Sequence, residues 1–195
     1  MAIYTNIAVA TPAVTNRFVT TTNMKVGAYT VANASPAMAG AVHVTVTHTA
    51  VTGTDTLGTI VVAGTNLTGG VISETITPLD GTVATGTKWF RTVTSVTGAG
   101  WVINTGNDTL VVGYQAGVVV ADGGGTLVSV VVNTTAAGTV ILADAKGTIA
   151  TLKSSIGEGT YPFLVDYAGY LRVTTGAASD ITVVHTASFP TYATA

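Results

Sequence analysis

The chain contains no cysteine among its 195 residues. That removes disulfides, thiolate nucleophiles and cysteine-based zinc or iron sites together. Charge is scarce: Asp, Glu, Lys and Arg make up 8% of the residues, against roughly 25% in an ordinary soluble domain. With a net charge of −2 there is no basic footprint for DNA, RNA or an anionic membrane surface, so no nucleic acid and no membrane are expected as partners. Thr, Asn and Gly interrupt every apolar stretch before it reaches the about 18 residues of a membrane helix. Aromatic residues, at 7%, are too few to build the two girdles of a transmembrane barrel. The opening MAIYTNIAVATPAVTNRF has neither a basic start nor a continuous apolar centre, so no signal peptide is expected.

Groups that carry chemistry are equally thin. Of the three histidines, His43 and His48 are five positions apart, an odd spacing that puts them on opposite faces of a strand and prevents a metal pair. His185 lies far along the chain, and the three read as unconnected surface or half-buried residues. No Ser sits in a Gly-x-Ser-x-Gly elbow. The two glutamates, Glu74 and Glu158, fall in different predicted domains, which leaves no carboxylate pair for glycoside hydrolysis. Phosphate-binding loops are not matched by GAGWVI or ADAKGT, and NTGNDT lacks the alternating ligand spacing of a calcium loop. The expectation is no enzyme, no catalytic residue, no metal and no cofactor.

What the chain has instead is Val, Thr, Ala and Gly in alternation. In AVHVTVTHTA, Val42, Val44 and Val46 point to one face while His43, Thr45 and Thr47 point to the other. Further strands are expected over 24–31, 57–63, 69–77, 88–97, 109–114, 126–133, 138–143, 147–153, 160–166, 169–175 and 179–187. No window of helical length shows a sustained 3.6-residue period. The expected fold is all-β, two antiparallel β-sandwich domains of jelly-roll or immunoglobulin type. Gly123, Gly124 and Gly125 would weaken any strand containing them and suggest a linker over 119–125. This divides the chain into a first domain at 21–118 and a second at 126–188, flanked by an arm over 1–20 and a tail over 189–195. The similarity of GTIVVAG to GTVILAD reads as no more than a shared Gly-Thr-apolar strand start, and no long repeat is evident.

Both ends carry aromatic residues, Tyr4, Phe18, Phe189 and Tyr192. Such ends are either frayed or arms whose aromatics dock on a partner. In TKWFRTV, Trp89 and Arg91 share one face. Trp89 either fills the core with the Arg91 stem covering the sheet edge, or stacks on a sugar ring; Trp101, after GAG, is expected to plug one end of the sandwich, or in the glycan alternative to be a further contact. The odd separation of Val93 and Val96 suggests a bulge or strand end near Thr94-Ser95.

From about residue 54 onward the chain resembles bacteriophage virion accessory proteins. The stretch GTDTLGTIVVAGTNLTGGVISETITPLDGTVATGTKWFRTVTSVTGAGW is similar to virion proteins in which SETIT leads to a TGTKxF strand and then VTSVTG. The stretch VVVNTTAAGTVILADAKGTIATLKSSIGEGTYPFLVDYAGYLRVTTGAASDITVVHT resembles the small β-sandwich of phage head accessory and head-fibre proteins. The resemblance implies a capsid decoration or cement protein on the virion surface, made in the host cytoplasm. Its implied partners are the major capsid protein and other copies of itself, often as a trimer. Two other roles stay open: a tail, neck or fibre structural protein, and a virion adhesin that binds host glycans.

Overall fold

The structure, a computed structural model, describes residues 1–7, 13–51, 55–104, 106–135 and 137–187. Its strands in chain order are β1 Ile3–Ile7, β2 Val14–Asn23, β3 Ala28–Tyr29, β4 Val42–Thr49, β5 Thr59–Thr65, β6 Val71–Ile76, β7 Val83–Phe90 and β8 Thr92–Ala99. They continue with β9 Thr109–Tyr114, β10 Val118–Asp122, β11 Gly125–Thr134, β12 Val140–Asp144, β13 Gly147–Leu152, β14 Gly159–Tyr167, β15 Tyr170–Thr175 and β16 Asp180–Ala187. One 3-10 turn, Met24–Val26, is capped by the Asn23 side chain. Among the described residues there is no α-helix, and no helix long and apolar enough to cross a membrane.

The strands form four antiparallel four-stranded sheets, and the chain divides into two compact units. The inner unit, Pro12–Gly117, holds the sheets β2-β9-β4-β7 and β3-β8-β5-β6. The outer unit, Met1–Thr11 with Val118–Ala195, holds β1-β16-β11-β14 and β10-β15-β12-β13. Counting each unit's strands along the chain, both units have the same order. One sheet runs first-eighth-third-sixth and the other second-seventh-fourth-fifth. In sequence the whole inner unit lies between the first and second strands of the outer one.

This arrangement corrects the expected division. Within the expected arm of residues 1–20, Ile3–Ile7 and the stretch from Val14 onward are sheet strands, because β1 pairs with β16 and β2 with β9. Their lack of clean alternation has a physical cause. Both are edge strands, and the β2–β9 register shifts twice, so Phe18 and Val19 are buried in succession. Nor are residues 119–125 a linker. Val118–Asp122 is β10, paired with β15, and Gly125 already belongs to β11. The glycines are needed for geometry inside the unit. Gly123 turns at φ +92°, a conformation costly for other residues. A Cβ on Gly125 would overlap the Thr186 carbonyl and the Tyr167 ring. The 189–195 tail lies outside the described residues.

Local alternation builds the cores. Val42, Val44 and Val46 of β4 are fully buried, as are Ile60 and Val62 of β5. In the outer unit Val140 and Leu142 of β12 and Ile181 and Val183 of β16 follow the same period. Each such side chain contributes about 1.5–3 kcal/mol on leaving water. The stretch 88–97 is two strands. β7 ends at Phe90 in one sheet and β8 starts at Thr92 in the other, so Arg91 marks the crossing. The bulge expected near Thr94-Ser95 is present: β8 skips Thr94 in its pairing with Ala63 and Gly64.

Candidate functional site

Trp89 is the most exposed-facing aromatic of the inner unit's β7. Its neighbour Phe90 points inward and is fully buried, so the core position belongs to Phe90. Trp89 is half-buried and sits opposite His43 of β4, the two rings stacked with centroids 3.5 Å apart and planes 25° from parallel. Arg91 turns elsewhere. Its guanidinium donates to the Leu67 carbonyl at 3.3 Å in the β5–β6 hairpin, and its amide donates to Thr65. Trp101 follows β8 in the other sheet and lies half-buried against Gly27 and Gly98. The three residues of the expected glycan platform therefore each have a separate local partner.

The expected docking residues divide in the same way. Phe18 is fully buried, its ring 6.0 Å from that of Tyr114, and cannot reach a partner from the folded chain. Tyr4 is 72% exposed on β1. Phe189 and Tyr192 lie outside the described residues.

Two of the three histidines are not surface residues, and each has partners. His48 continues the inward face of Val42, Val44 and Val46 and is sealed from solvent. Its Nε2 donates to Asp108 Oδ2 at 2.9 Å, and Asp108 is itself wholly buried. Asp108 Oδ1 accepts from the Val51 amide at 3.0 Å. Burial pushes the Asp108 carboxyl up, but the bonds from Val51 and His48 outweigh it and hold the group below the usual carboxylate range. On its other side His48 Nδ1 lies 3.3 Å from the exposed Asp80 carboxylate, without hydrogen-bond alignment. The cluster ties the end of β4 to the segments around residues 51, 80 and 108. A catalytic base needs access to a substrate, and His48 has none, so the pair holds loops.

His185 of β16 continues the inward face of Ile181 and Val183. Tyr167 Oη lies 3.3 Å from its Nδ1 and Thr5 Oγ1 3.4 Å from its Nε2. Burial lowers its pKa below the ordinary histidine value, so the neutral ring is favoured. Extending the period-2 pattern by one step at 48 and at 185 is the signal that places both rings inside.

A cleft of about 620 Å³ opens between β6 and β7, lined by Thr75, Thr77, Leu79, Val83 and Thr85. Glu74 clasps one end. Its Oε1 accepts from the Thr87 amide at 2.6 Å and the Thr87 hydroxyl at 2.9 Å, and its Oε2 accepts from the Lys88 amide at 3.1 Å. A Cβ on Gly86 would overlap that carboxylate. Glu74 thus spends its charge joining the edges of two sheets. Among the described residues no three His, Asp or Glu side chains are placed to hold a metal ion. Compared with protein-family models, with curated proteins and with solved structures, the chain matches none.

Proposed function

We propose that the chain is a non-enzymatic virion structural protein that decorates and stabilises the outer surface of a phage capsid as a multimer. One observation carries the reading: both units thread eight strands in the order first-eighth-third-sixth and second-seventh-fourth-fifth. We read that order as a jelly roll, an architecture common among viral capsid and lectin domains. A fold does not by itself assign a function, and two further features support the choice. The titratable clusters at His48 and Glu74 are spent on holding loops and sheet edges together. The sparse charge suits a protein held against a lattice, where binding to the shell stabilises the folded state by mass action. The partners in this reading are the major capsid protein and other copies of the chain. Cryo-electron microscopy of the parent particle tests it. Density for this chain at regular positions on the head is the expected result; density confined to the tail or neck removes the cement role.

The half-buried Trp89–His43 stack favours a second reading, a virion adhesin for host glycans. Glycan-array binding that is lost in Trp89→Ala supports it, and an array with no binding removes it.

A further inference from the structure

The first strand of the outer unit differs from the other strands of that unit in one respect. β1 is separated along the chain from β10, the next strand of its own unit, by the entire inner unit. It is an edge strand with a single partner, β16, in a register running from Ile3↔His185 to Ile7↔Ile181. Its grip is slight. Met1 is 98% exposed, Tyr4 72% and Ile3 41%.

The position it fills is the opposite. Val183, Val184 and His185 of β16 are buried, and Thr5 caps the His185 ring. Loss of β1 would open the β16 edge with its unpaired backbone groups, which cost free energy when left without partners. The slot is therefore demanding, while Ile3 and Tyr4 of the strand that fills it are exposed. The same five residues from another copy fill it with the same register and the same contacts.

We propose that β1 is exchanged between copies, so that Ile3–Ile7 of one molecule completes the outer unit of a neighbour. The partner is a second copy of this chain. Exchange of an identical element is a low-cost route to an oligomer, because the pairing lost within a copy is regained between copies. A reciprocal pair and a closed ring both satisfy every β16 edge. With 8% charged residues the surface offers little repulsion between copies. The inference rests on the multimeric part of the function proposed above and does not depend on where in a virion the protein sits.

The register supplies the test. Tyr4 and Val184 are Cα partners, and facing residues of antiparallel strands, about 4.5–5.5 Å apart, are within disulfide reach. The chain has no cysteine of its own, so any disulfide reports the engineered pair. The variant Tyr4→Cys/Val184→Cys, oxidised with oxidised glutathione and run on a denaturing non-reducing gel, is expected to give covalent dimers or larger species. Complete conversion to an intrachain disulfide overturns the exchange. Should this variant lose its far-UV β spectrum, Asn6→Cys/Thr182→Cys, another pair of Cα partners, takes its place. As a second arm, Tyr4→Cys and Val184→Cys copies are refolded together, and the mixed disulfide is identified by peptide mass. Its formation is expected, and its absence from folded protein overturns the proposal. Light scattering on the uncross-linked protein separates the two levels of inference. An oligomer with only intrachain disulfides removes strand exchange and leaves the multimer standing, whereas a monomer removes both.

Discussion

The two units share a strand order but fill its first position differently. In the inner unit that place belongs to β2, ten residues long, with Phe18 and Val19 buried in the core. Loop contacts tie it further: Ala32 donates to the Phe18 carbonyl, Asn33 to the Arg17 carbonyl, and Arg17 to Ser35. In the outer unit the place belongs to β1, half as long and with exposed Ile3 and Tyr4. The same edge position thus sends side chains into the core in one unit, whereas in the other Ile3 and Tyr4 stay exposed. The buried histidines contrast too. His48 meets a buried carboxylate, while His185 meets the hydroxyls of Tyr167 and Thr5 and is kept neutral by burial. One topology therefore accommodates two electrostatic interiors, and the units should respond differently to truncation and to pH.

The largest expected break in the symmetry is Phe18→Ala. It empties a fully buried aromatic site and should cost the inner unit about 3–5 kcal/mol. Urea unfolding followed by hydrogen exchange in each unit measures it, and deletion of residues 1–7 should cost the outer unit less. Next comes Asp108→Ala, which leaves the His48 Nε2 and Val51 amide without their acceptor. The expected loss is about 2–4 kcal/mol, again in the inner unit. Equal protection of both units in either variant would contradict this assignment.

The pH response sharpens the comparison at a smaller scale. His185 has a folded pKa below that of the unfolded chain. The unfolded state therefore binds the extra proton first as pH falls, and the outer unit loses stability from about pH 6.5 downward until the folded pKa is passed. Thermal melts between pH 8 and 5 should show this slope, and His185→Gln should flatten it. The lowered carboxyl of Asp108 acts in the same direction only in more acidic solution: its contribution is present above the ordinary carboxylate pKa and is lost as pH falls through the folded value. Asp144 of the outer unit behaves likewise, held low by the amide of Ala168 against the cost of burial, with the amides of Lys146 and Gly147 adding to it.

The smallest effect belongs to Leu164, where β14 bulges against β11. It is 74% exposed and adopts φ +54°, a left-handed conformation in which a Cβ crowds the following carbonyl. Leu164→Gly should leave the outer unit's stability unchanged or raise it by up to about 1 kcal/mol, measured by the urea midpoint. A marked loss would mean that the Leu164 side chain is held by contacts its exposure does not reveal.

Much of the local structure was readable from residue order. β4, β5, β12, β15 and β16 all alternate, and alternation is a property of a strand alone. Edge strands were harder. β2 and β10 were missed because their buried residues come in succession, at Phe18-Val19 and at Val118–Ala121. The His48–Asp108 pair was also hidden, since its members are 60 positions apart and only the β4–β9 register brings them together.

The paired motifs GTIVVAG and GTVILAD mark the boundary between the two kinds of information. They are β5 and β12 with their leading Gly-Thr, the fourth strands of the two units. Gly58 is approached by the backbone of Ala99, Gly100 and Trp101, and Gly138 by that of Gly176 and Ala177. In each unit this is the segment that follows the seventh strand, and a Cβ on either glycine would overlap it. The shared Gly-Thr is thus a steric requirement of equivalent sites rather than a common way to begin a strand. The sequence alone determined an all-β chain with little charge and period-2 cores, because those features act within a few residues. Only the tertiary structure decided that one unit is inserted within the sequence of the other and that their strand orders coincide, because the choice of edge for β1 and β2 depends on partners 86 or more positions away.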